Sequence, residues 1–209
     1  MRPNIYDLLR NEFIVFDTSL DVGCAGLCDL VDLENSPFRK LIGIDKQFDT
    51  TPFGDYRRRK LKDLDLSDEQ FRIVSKELML SFNQRFTIET LDLFDYDFMP
   101  NTNSFIICNK VLHFYANDIK LNLIDKFYSS LQNQGLLYLK INHNLHPVDT
   151  DPGKMIKIGE NIYQSIDYPG YIKYLIDPNE FVKELPKSYN ILEKYTDKND
   201  KTLTIVLRK

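Results

Sequence analysis

The chain has 209 residues, of which 43% are hydrophobic and 28% are charged, and its formal net charge at pH 7 is −4. This length and composition are typical of one folded domain and exclude a chain that is disordered throughout. The weak negative charge gives no general attraction to nucleic acid or to an anionic membrane surface, so we expect neither as a partner.

The cysteines and the N-terminal residues indicate a cytoplasmic protein. Cys24, Cys28 and Cys108 are too few for a disulfide framework, and no second pair of Cys or His residues accompanies them at zinc spacing. We therefore expect buried free thiols. Neither a secretion signal nor a long apolar span is visible in the sequence.

Apolar runs typical of strands alternate with apolar residues at helical spacing through most of the chain. A first helix is expected over residues 1–17. Five strands are expected at Ser19–Val22, Leu41–Asp45, Phe86–Leu91, Ser104–Cys108 and Gly135–Ile141. Further helices are expected after Gly26, after the capping residue Ser67, and over Ile119–Leu131, with Gly135 as its left-handed cap.

The C-terminal part of the chain departs from this alternation. Residues 142–176 form a polar, proline-containing connection. Asp177-Pro178 can begin a helix, with proline at its first position. Two runs, Tyr189–Tyr195 and Thr202–Leu207, then predict a terminal β-hairpin.

Together these elements predict a single α/β domain over residues 1–209. Strands that are apolar almost without interruption indicate a parallel sheet covered on both faces. We therefore expect a doubly wound, mostly parallel seven-stranded sheet, with a C-terminal antiparallel β-hairpin and helices on both faces.

The residues around the end of the first strand have the character of a nucleotide-binding loop. In Leu20-Asp21-Val22-Gly23-Cys24-Ala25-Gly26, an acid near the strand end precedes a glycine-containing loop that opens a helix. Such a loop lets a ligand approach the backbone and the helix N-terminus. Asp45 ends the next strand, where a carboxylate can accept hydrogen bonds from ribose hydroxyls.

These features resemble those of the class I S-adenosylmethionine-dependent methyltransferases, and the resemblance extends over Asp17–Leu207. The loop is similar to the first motif of that family, and Ile-Gly-Ile-Asp, ending at Asp45, is similar to the second. Leu91-Asp92-Leu93 occupies the third motif position, Phe105–His113 the fourth, and Leu131–Leu139 matches the family's passage into its fifth strand.

The resemblance implies S-adenosylmethionine as the cofactor. Asp21 would reach toward the methionine amino group, Asp45 would hold the ribose hydroxyls, and Asp92 would accept from the adenine amine. The full set of implied cofactor residues is Asp21, Gly23, Cys24, Ala25, Gly26, Asp45, Lys46, Asp92, Leu93, Asn109 and Lys110. Ala25 and Leu27 stand where many family members have glycine, so a catalytically silent cofactor-binding or partner subunit is an alternative.

The resemblance also implies a methyl acceptor, for which we expect a small molecule. In this fold the connection at residues 142–176 often covers the acceptor, and here it contains a cluster of tyrosines. Aromatic walls suit apolar or cationic small molecules. The implied substrate-binding residues are His113, Tyr168 and Tyr171. No catalytic residue is assigned, because a methyl group on a sulfonium is already activated and mainly needs a well-positioned nucleophile.

A methyltransferase that acts on RNA or protein is the other alternative. The residues after the fourth strand, Asn109-Lys110-Val111-Leu112, lack the Asn/Asp-Pro-Pro-aromatic run of nucleic-acid amino methyltransferases. The basic run Arg57–Lys60 is isolated in an acidic protein, and such a run more often forms a solvated helix face than an RNA-binding patch.

Two histidines after the fifth strand raise the question of a metal site. His143 and His146 lie close in sequence to Asp149 and Asp151. Their spacing matches no established ligand pattern, so no metal is expected.

Overall fold

A computed structural model describes residues 17–24, 38–46, 67, 69–70, 73, 86–144, 146–197, 199 and 201–209. These residues fall in two compact units, an N-terminal unit within Phe16–Asp97 and a C-terminal unit within Phe98–Lys209. The predicted N-terminal helix up to residue 16, the helix after Gly26 and the basic run Arg57–Lys60 lie outside the described residues.

The strands form one large sheet and one small sheet. The strands are β1 (Thr18–Val22), β2 (Lys40–Asp45), β3 (Phe86–Thr90), β4 (Asn103–Asn109), β5 (Leu131–Asn142), β6 (Met155–Gly159), β7 (Ile162–Ser165), β8 (Ile172–Tyr174), β9 (Asn190–Asp197) and β10 (Thr202–Arg208). The larger sheet has seven strands in the order β3-β2-β1-β4-β5-β10-β9. β1, β2 and β3 pair in parallel, as do β4 and β5, whereas β10 pairs antiparallel with β5 and β9. The predicted mostly parallel sheet with a terminal antiparallel hairpin is therefore confirmed.

In the N-terminal unit, the parallel register aligns the ends of three strands. Val22 of β1 pairs with Ile44 of β2, and Asp45 of β2 pairs with Thr90 of β3. Every residue of β1 after Thr18 is buried, as expected for a parallel strand covered on both faces. The polar residues that follow these three strands therefore lie at one edge of the sheet.

Ser67 begins a helix by the reciprocal hydrogen bonds of a capping box. The Ser67 amide donates to Gln70 Oε1 at 2.9 Å, and the Gln70 amide donates to Ser67 Oγ at 3.4 Å. This arrangement satisfies two donors that the first turn of a helix would otherwise leave without partners. The predicted cap at Ser67 is confirmed.

In the C-terminal unit, two helices and a 3₁₀ turn accompany the strands. They are the 3₁₀ turn Leu112–Phe114, α1 (Asn117–Ser130) and α2 (Pro178–Glu184). α1 buries an apolar stripe that includes Leu123, Ile124 and Phe127. Asp177 caps α2, because its Oδ1 accepts from the amides of Asn179 at 2.9 Å and Glu180 at 3.1 Å. The predicted cap and the proline in the first turn are confirmed.

Gly135 does not have the role that the sequence predicts. α1 ends at Ser130 and β5 begins at Leu131, and the residue in the left-handed conformation is Gln134, with φ 66°. A Cβ on Gly135 would lie 2.9 Å from the carbonyl oxygen of Gln132 and 3.1 Å from that of Ser104. Glycine is needed here because backbones approach closely, so the prediction of a left-handed cap at Gly135 is wrong.

The connection at residues 142–176 contains a sheet that the sequence did not predict. β6, β7 and β8 form a three-stranded antiparallel sheet in that order, which we call the inserted sheet. Lys120 of α1 is fully buried and donates from Nζ to the carbonyl oxygen of Tyr174 at 2.7 Å and to Asn117 Oδ1 at 2.9 Å. The inserted sheet is therefore attached to α1 through its last strand.

Candidate functional site

The chain turns sharply immediately after β1, as the loop motif predicts. The amides of Gly23 and Cys24 both donate to the carbonyl oxygen of Ile44, at 2.8 Å and 3.1 Å. Gly23 has φ 71°, a conformation that glycine adopts without steric cost. Ala25 and Gly26, the next two implied cofactor residues, lie outside the described residues.

Two carboxylates of the N-terminal unit lie close to this turn. Asp21 is buried within β1, and Asp45 is half-buried at the end of β2. Burial, followed by the negative charges of Asp21 and Asp45, raises the pKa of the Cys24 thiol. Cys24 is therefore an uncharged, buried thiol. Lys46, the next implied residue, is exposed.

The loop after β3 brings a third acid to the same edge of the sheet. The Leu91 amide donates to the carbonyl oxygen of Asp45 at 3.1 Å. Asp92 is half-buried and its Oδ1 accepts from the Phe94 amide at 3.0 Å, while Leu93 is buried. The neighbouring acids Asp95 and Asp97 are exposed. This difference in burial favours Asp92 as the acid of the third motif.

In the C-terminal unit, the chain turns abruptly at the end of β4. Asn109, the last residue of β4, pairs with Lys140 of β5. Lys110 has φ 59°, and its amide donates to the carbonyl oxygen of Lys140 at 2.7 Å. A left-handed lysine is uncommon, and such backbone conformations are concentrated at functional sites. Asn109 and Lys110 therefore lie on a distinctive turn.

His113 is shielded from solvent inside the 3₁₀ turn. His113 is 2% exposed, and the centroid of its ring lies 4.2 Å from that of Phe114. Its Nδ1 has no hydrogen-bond partner in the part of the chain that the structure describes. Burial lowers the pKa of His113 to about 3; Asp149 opposes this effect, whereas Lys173, His146 and Lys120 add to it. His113 is therefore neutral at physiological pH.

A group of buried polar side chains surrounds Asp149, and with His113 we call it the polar cluster (His113, Asn142, His146, Asp149 and Lys173). Asp149 is 1% exposed. Its Oδ2 accepts from Asn142 Nδ2 at 2.6 Å, its Oδ1 accepts from the Lys173 ammonium, and its amide donates to His146 Nδ1 at 3.3 Å. Burial alone would raise the pKa of Asp149, but the hydrogen bonds from Lys173 and Asn142 lower it. Asp149 and Lys173 therefore form a buried ion pair.

The Lys173 ammonium also lies against two aromatic rings, which we call the aromatic pair. It lies 5.6 Å from the ring centroid of Phe114 and 5.3 Å from that of Tyr171, and the two rings are 4.9 Å apart in an edge-on arrangement. These distances are within the range of cation–π attraction. Lys173 thereby links β8 to the 3₁₀ turn.

The structure brings together two of the three implied substrate-binding residues. His113 and Tyr171 both contact Phe114. Tyr171 is 45% exposed, so one side of the aromatic pair faces solvent. Tyr168 is 73% exposed and lies at the turn before Tyr171, whose amide donates to the Tyr168 carbonyl oxygen at 2.8 Å. No described contact of the Tyr168 side chain connects it to the polar cluster.

Sequence reasoning missed Lys173, Asn142 and Phe114. The only available signal was a lysine between apolar residues in Ile172-Lys173-Tyr174, which is a common pattern in exposed strands. Among the described residues, no three His, Cys, Asp or Glu side chains are grouped so that they could hold a metal ion. No helix of the described ranges is long and apolar enough to cross a membrane.

Comparisons with known proteins identify the fold. No protein-family model matches the chain, and no curated protein matches it in sequence. An S-adenosylmethionine-dependent methyltransferase from Methanosarcina mazei is 14% identical, with a TM-score of 0.60 and coverage of 98% of this chain and 97% of that chain. N-methyltransferase NodS from Bradyrhizobium japonicum is 13% identical, with a TM-score of 0.56 and coverage of 98% and 93%.

A third neighbour was solved with ligands. It is the 1,6-didemethyltoxoflavin-N1-methyltransferase of Burkholderia thailandensis, with bound 1,6-didemethyltoxoflavin and S-adenosylhomocysteine. It is 11% identical, with a TM-score of 0.58, and the match covers 98% of this chain and 75% of that chain. At such identities the likeness concerns the fold, and the chain has the fold of the class I S-adenosylmethionine-dependent methyltransferases.

Proposed function

We propose that this protein is an S-adenosylmethionine-dependent methyltransferase that acts on a small-molecule acceptor. The observation that carries the proposal is the alignment of acids with the ends of three parallel strands. Asp21 lies in β1, Asp45 ends β2, and Asp92 follows β3 beside the end of β2. Ligands of open α/β sheets commonly bind outside the carboxyl ends of the strands.

The chemistry of these residues fits the cofactor. Carboxylates accept hydrogen bonds, and S-adenosylmethionine offers ribose hydroxyls to Asp45, an adenine amine to Asp92 and a methionine ammonium to Asp21. The left-handed turn at Gly23 keeps side chains away from the backbone of the first loop. The resemblance also assigns contacts to Asn109 and Lys110, and their unusual turn is consistent with that assignment.

The protein's part in such a reaction is mainly positioning. The cofactor would supply a methyl group on a sulfonium: the lone pair of an acceptor would attack the methyl carbon in line, and the S–CH3 bond would break so that S-adenosylhomocysteine leaves with its electron pair. Holding the two reactants in that orientation is worth several powers of ten in rate. No described residue has to act as a nucleophile.

Two observations support a small molecule as the acceptor. Two of the fold neighbours are named as N-methyltransferases, and one of them was solved with bound 1,6-didemethyltoxoflavin. The residues Asn109-Lys110-Val111-Leu112 lack the run of nucleic-acid amino methyltransferases, and the net charge of −4 gives no attraction to RNA.

Calorimetric titration of S-adenosylmethionine tests the proposal. We expect the wild-type protein to bind it, and Asp45→Ala to weaken binding at least tenfold, about 1.4 kcal/mol, because two acceptor oxygens are lost. Asp17→Ala is the matched control. Asp17 lies at the other end of the strands, where its carboxylate approaches Arg39 at 4.0 Å, so this variant should bind normally.

The outcomes separate the alternatives. A wild-type protein that does not bind S-adenosylmethionine contradicts the methyltransferase proposal. Binding without methyl transfer to any compound of an acceptor panel supports the silent subunit instead. Methyl transfer to RNA, with an affinity for RNA that falls steeply as salt is added, would replace the small molecule by a nucleic acid.

A further inference from the structure

The aromatic pair would be a cation-binding wall if it were not already occupied by a cation of the protein. Aromatic faces attract ammonium groups, and such walls recognise quaternary ammonium ligands. Here the Lys173 ammonium lies 5.6 Å from the Phe114 centroid and 5.3 Å from the Tyr171 centroid. The attraction that these rings could offer to a cationic ligand is therefore already used by Lys173.

The ion pair with Asp149 keeps Lys173 in this position. Both carboxylate oxygens of Asp149 accept hydrogen bonds, one from Lys173 and the other from Asn142. Asp149 is almost completely buried and pairs with Lys173, so the two opposite charges largely offset each other for a ligand cation farther away. A further positive charge comes from Lys120, which is also buried nearby and acts on His113.

His113 lies beside the aromatic pair and has a polar atom that could hydrogen-bond to a ligand. Its ring contacts Phe114, it is more than nine-tenths buried, and its Nδ1 has no hydrogen-bond partner among the described residues. Buried polar atoms of native proteins almost always have a partner, supplied by protein, water or ligand. Among the described residues, the Lys173 ammonium donates to Asp149 and makes no hydrogen bond to His113 Nδ1.

We propose that the polar cluster and the aromatic pair bind the methyl acceptor, that a hydroxyl or amine of the acceptor hydrogen-bonds to His113 Nδ1, and that Lys173 makes the site selective for neutral aromatic acceptors. This inference rests on the proposed function, because it names the substrate class of that methyltransferase. The tyrosines alone suit either apolar or cationic methyl acceptors, and this inference excludes the cationic ones.

A matched pair of probes tests the selectivity. 3-(Dimethylamino)phenol is neutral at pH 7.5, and (3-hydroxyphenyl)trimethylammonium has nearly the same shape with a permanent positive charge. Binding is followed by the ring nitrogen signals of the histidines. The chain has 3 histidines, so His113→Phe and His143→Gln suffice to assign them. We expect the neutral probe to bind at least tenfold more tightly and to shift the His113 signals, while the His143 signals stay unchanged.

Removal of the buried ion pair tests the role of Lys173. In the double variant Lys173→Met/Asp149→Asn, both charges are lost together, so neither remains buried without a partner. We expect the preference for the neutral probe to disappear, because the aromatic pair can then receive the trimethylammonium group. The control is Lys183→Met/Glu180→Gln, which removes an exposed ion pair of 2.7 Å from α2 and should keep the preference.

The hydrogen bond is tested by removing either of its ends. His113→Phe should bind 3-(dimethylamino)phenol no better than N,N-dimethylaniline, which lacks the hydroxyl, whereas the wild-type protein should prefer the phenol several-fold.

Three results overturn the inference: equal or tighter binding of the cationic probe by the wild-type protein, no shift of the His113 signals at millimolar probe, or an unchanged preference in the Lys173→Met/Asp149→Asn variant.

All measurements are repeated with S-adenosylmethionine present. If that cofactor binds while the probes give any of these results, the inference fails and the proposed function stands. If the cofactor does not bind, the proposed function itself fails.

Discussion

Asp45 in the N-terminal unit and Asp149 in the C-terminal unit carry the same kind of side chain in different surroundings. Asp45 is half-buried at the end of β2, where a carboxylate can receive hydrogen bonds from a ligand. Asp149 is almost completely buried and already accepts from Lys173 and Asn142. A half-buried acid at a ligand site should contribute mainly to affinity, whereas an acid that neutralises a buried lysine should contribute mainly to stability.

Replacement of Asp149 should have the largest effect on stability. Asp149→Ala leaves the Lys173 charge buried without its carboxylate and removes the acceptor of Asn142. We expect the free energy of unfolding to fall by about 3 kcal/mol. Urea unfolding followed by far-ultraviolet circular dichroism measures it, since the chain has no tryptophan. Asp167→Ala, which replaces an exposed acid of the same unit outside the polar cluster, should change it by less than about 0.5 kcal/mol. Equal effects of the two variants would contradict the difference drawn between the acids.

His113 should make stability depend on pH. Its pKa is lowered from 6.5 to about 3, so below pH 6.5 the unfolded chain binds a proton that the folded protein does not bind until about pH 3. The contribution of neutral His113 is therefore complete above pH 6.5 and is lost as the pH falls toward 3. The loss is about 1.4 kcal/mol per pH unit, or about 2.5 kcal/mol between pH 6 and pH 4.

In His113→Phe this part of the pH dependence should disappear. Urea unfolding of both proteins at several pH values between 4 and 7 gives the comparison. Both proteins share all other titratable groups, so the contributions of those groups cancel in the difference between the two unfolding free energies. That difference should therefore vary with pH because of His113 alone. A constant difference would mean that His113 is protonated in the folded protein as easily as in the unfolded chain.

Gly135→Ala should destabilise the C-terminal unit by about 2 kcal/mol. The added Cβ would lie 2.9 Å from one backbone oxygen and 3.1 Å from another, and backbone atoms cannot move aside as a flexible side chain can. Gly170→Ala is the control, since a Cβ added there would have no described atom within 4 Å and stability should change little. Thermal and urea unfolding of both variants check this, and a tolerated Gly135→Ala would contradict the close backbone approach.

Asp45→Ala should have the smallest effect on stability, less than about 0.5 kcal/mol, although it should lose affinity for S-adenosylmethionine. The expected result is the opposite of that for Asp149→Ala, and the two variants are best measured in the same unfolding and titration experiments. A large loss of stability in Asp45→Ala would mean that this carboxylate also serves the fold, and would remove the contrast between the two units.

Much of the fold follows from patterns within short segments. The apolar runs of β1, β2 and β4 predicted parallel strands because both of their faces are buried. The caps at Ser67 and Asp177 were predicted because a side chain there reaches amides only a few residues away. The acids that follow the strands could be named for the same reason, since their place depends on where a strand ends.

The inserted sheet could not be predicted in this way. β6, β7 and β8 have 5, 4 and 3 residues, and β6 and β7 show no alternation between a buried and an exposed face. Their stability depends on contacts with distant parts of the chain, such as the hydrogen bond from Lys120 to Tyr174. The role of Gly135 was missed for a related reason, because the carbonyl of Ser104 that approaches it belongs to another strand.

The sequence by itself determined the chain order of the seven strands of the larger sheet, the hairpin that ends that sheet, and the acids proposed for the cofactor site, because each depends on neighbours within a few residues. Only the tertiary structure decided that Asp149 is paired internally, that His113 is neutral and buried, and that Lys173 occupies the aromatic pair. Those properties arise from desolvation and from charges on α1, on β8 and on the segment after β5, which are far apart in the chain and meet only when it folds.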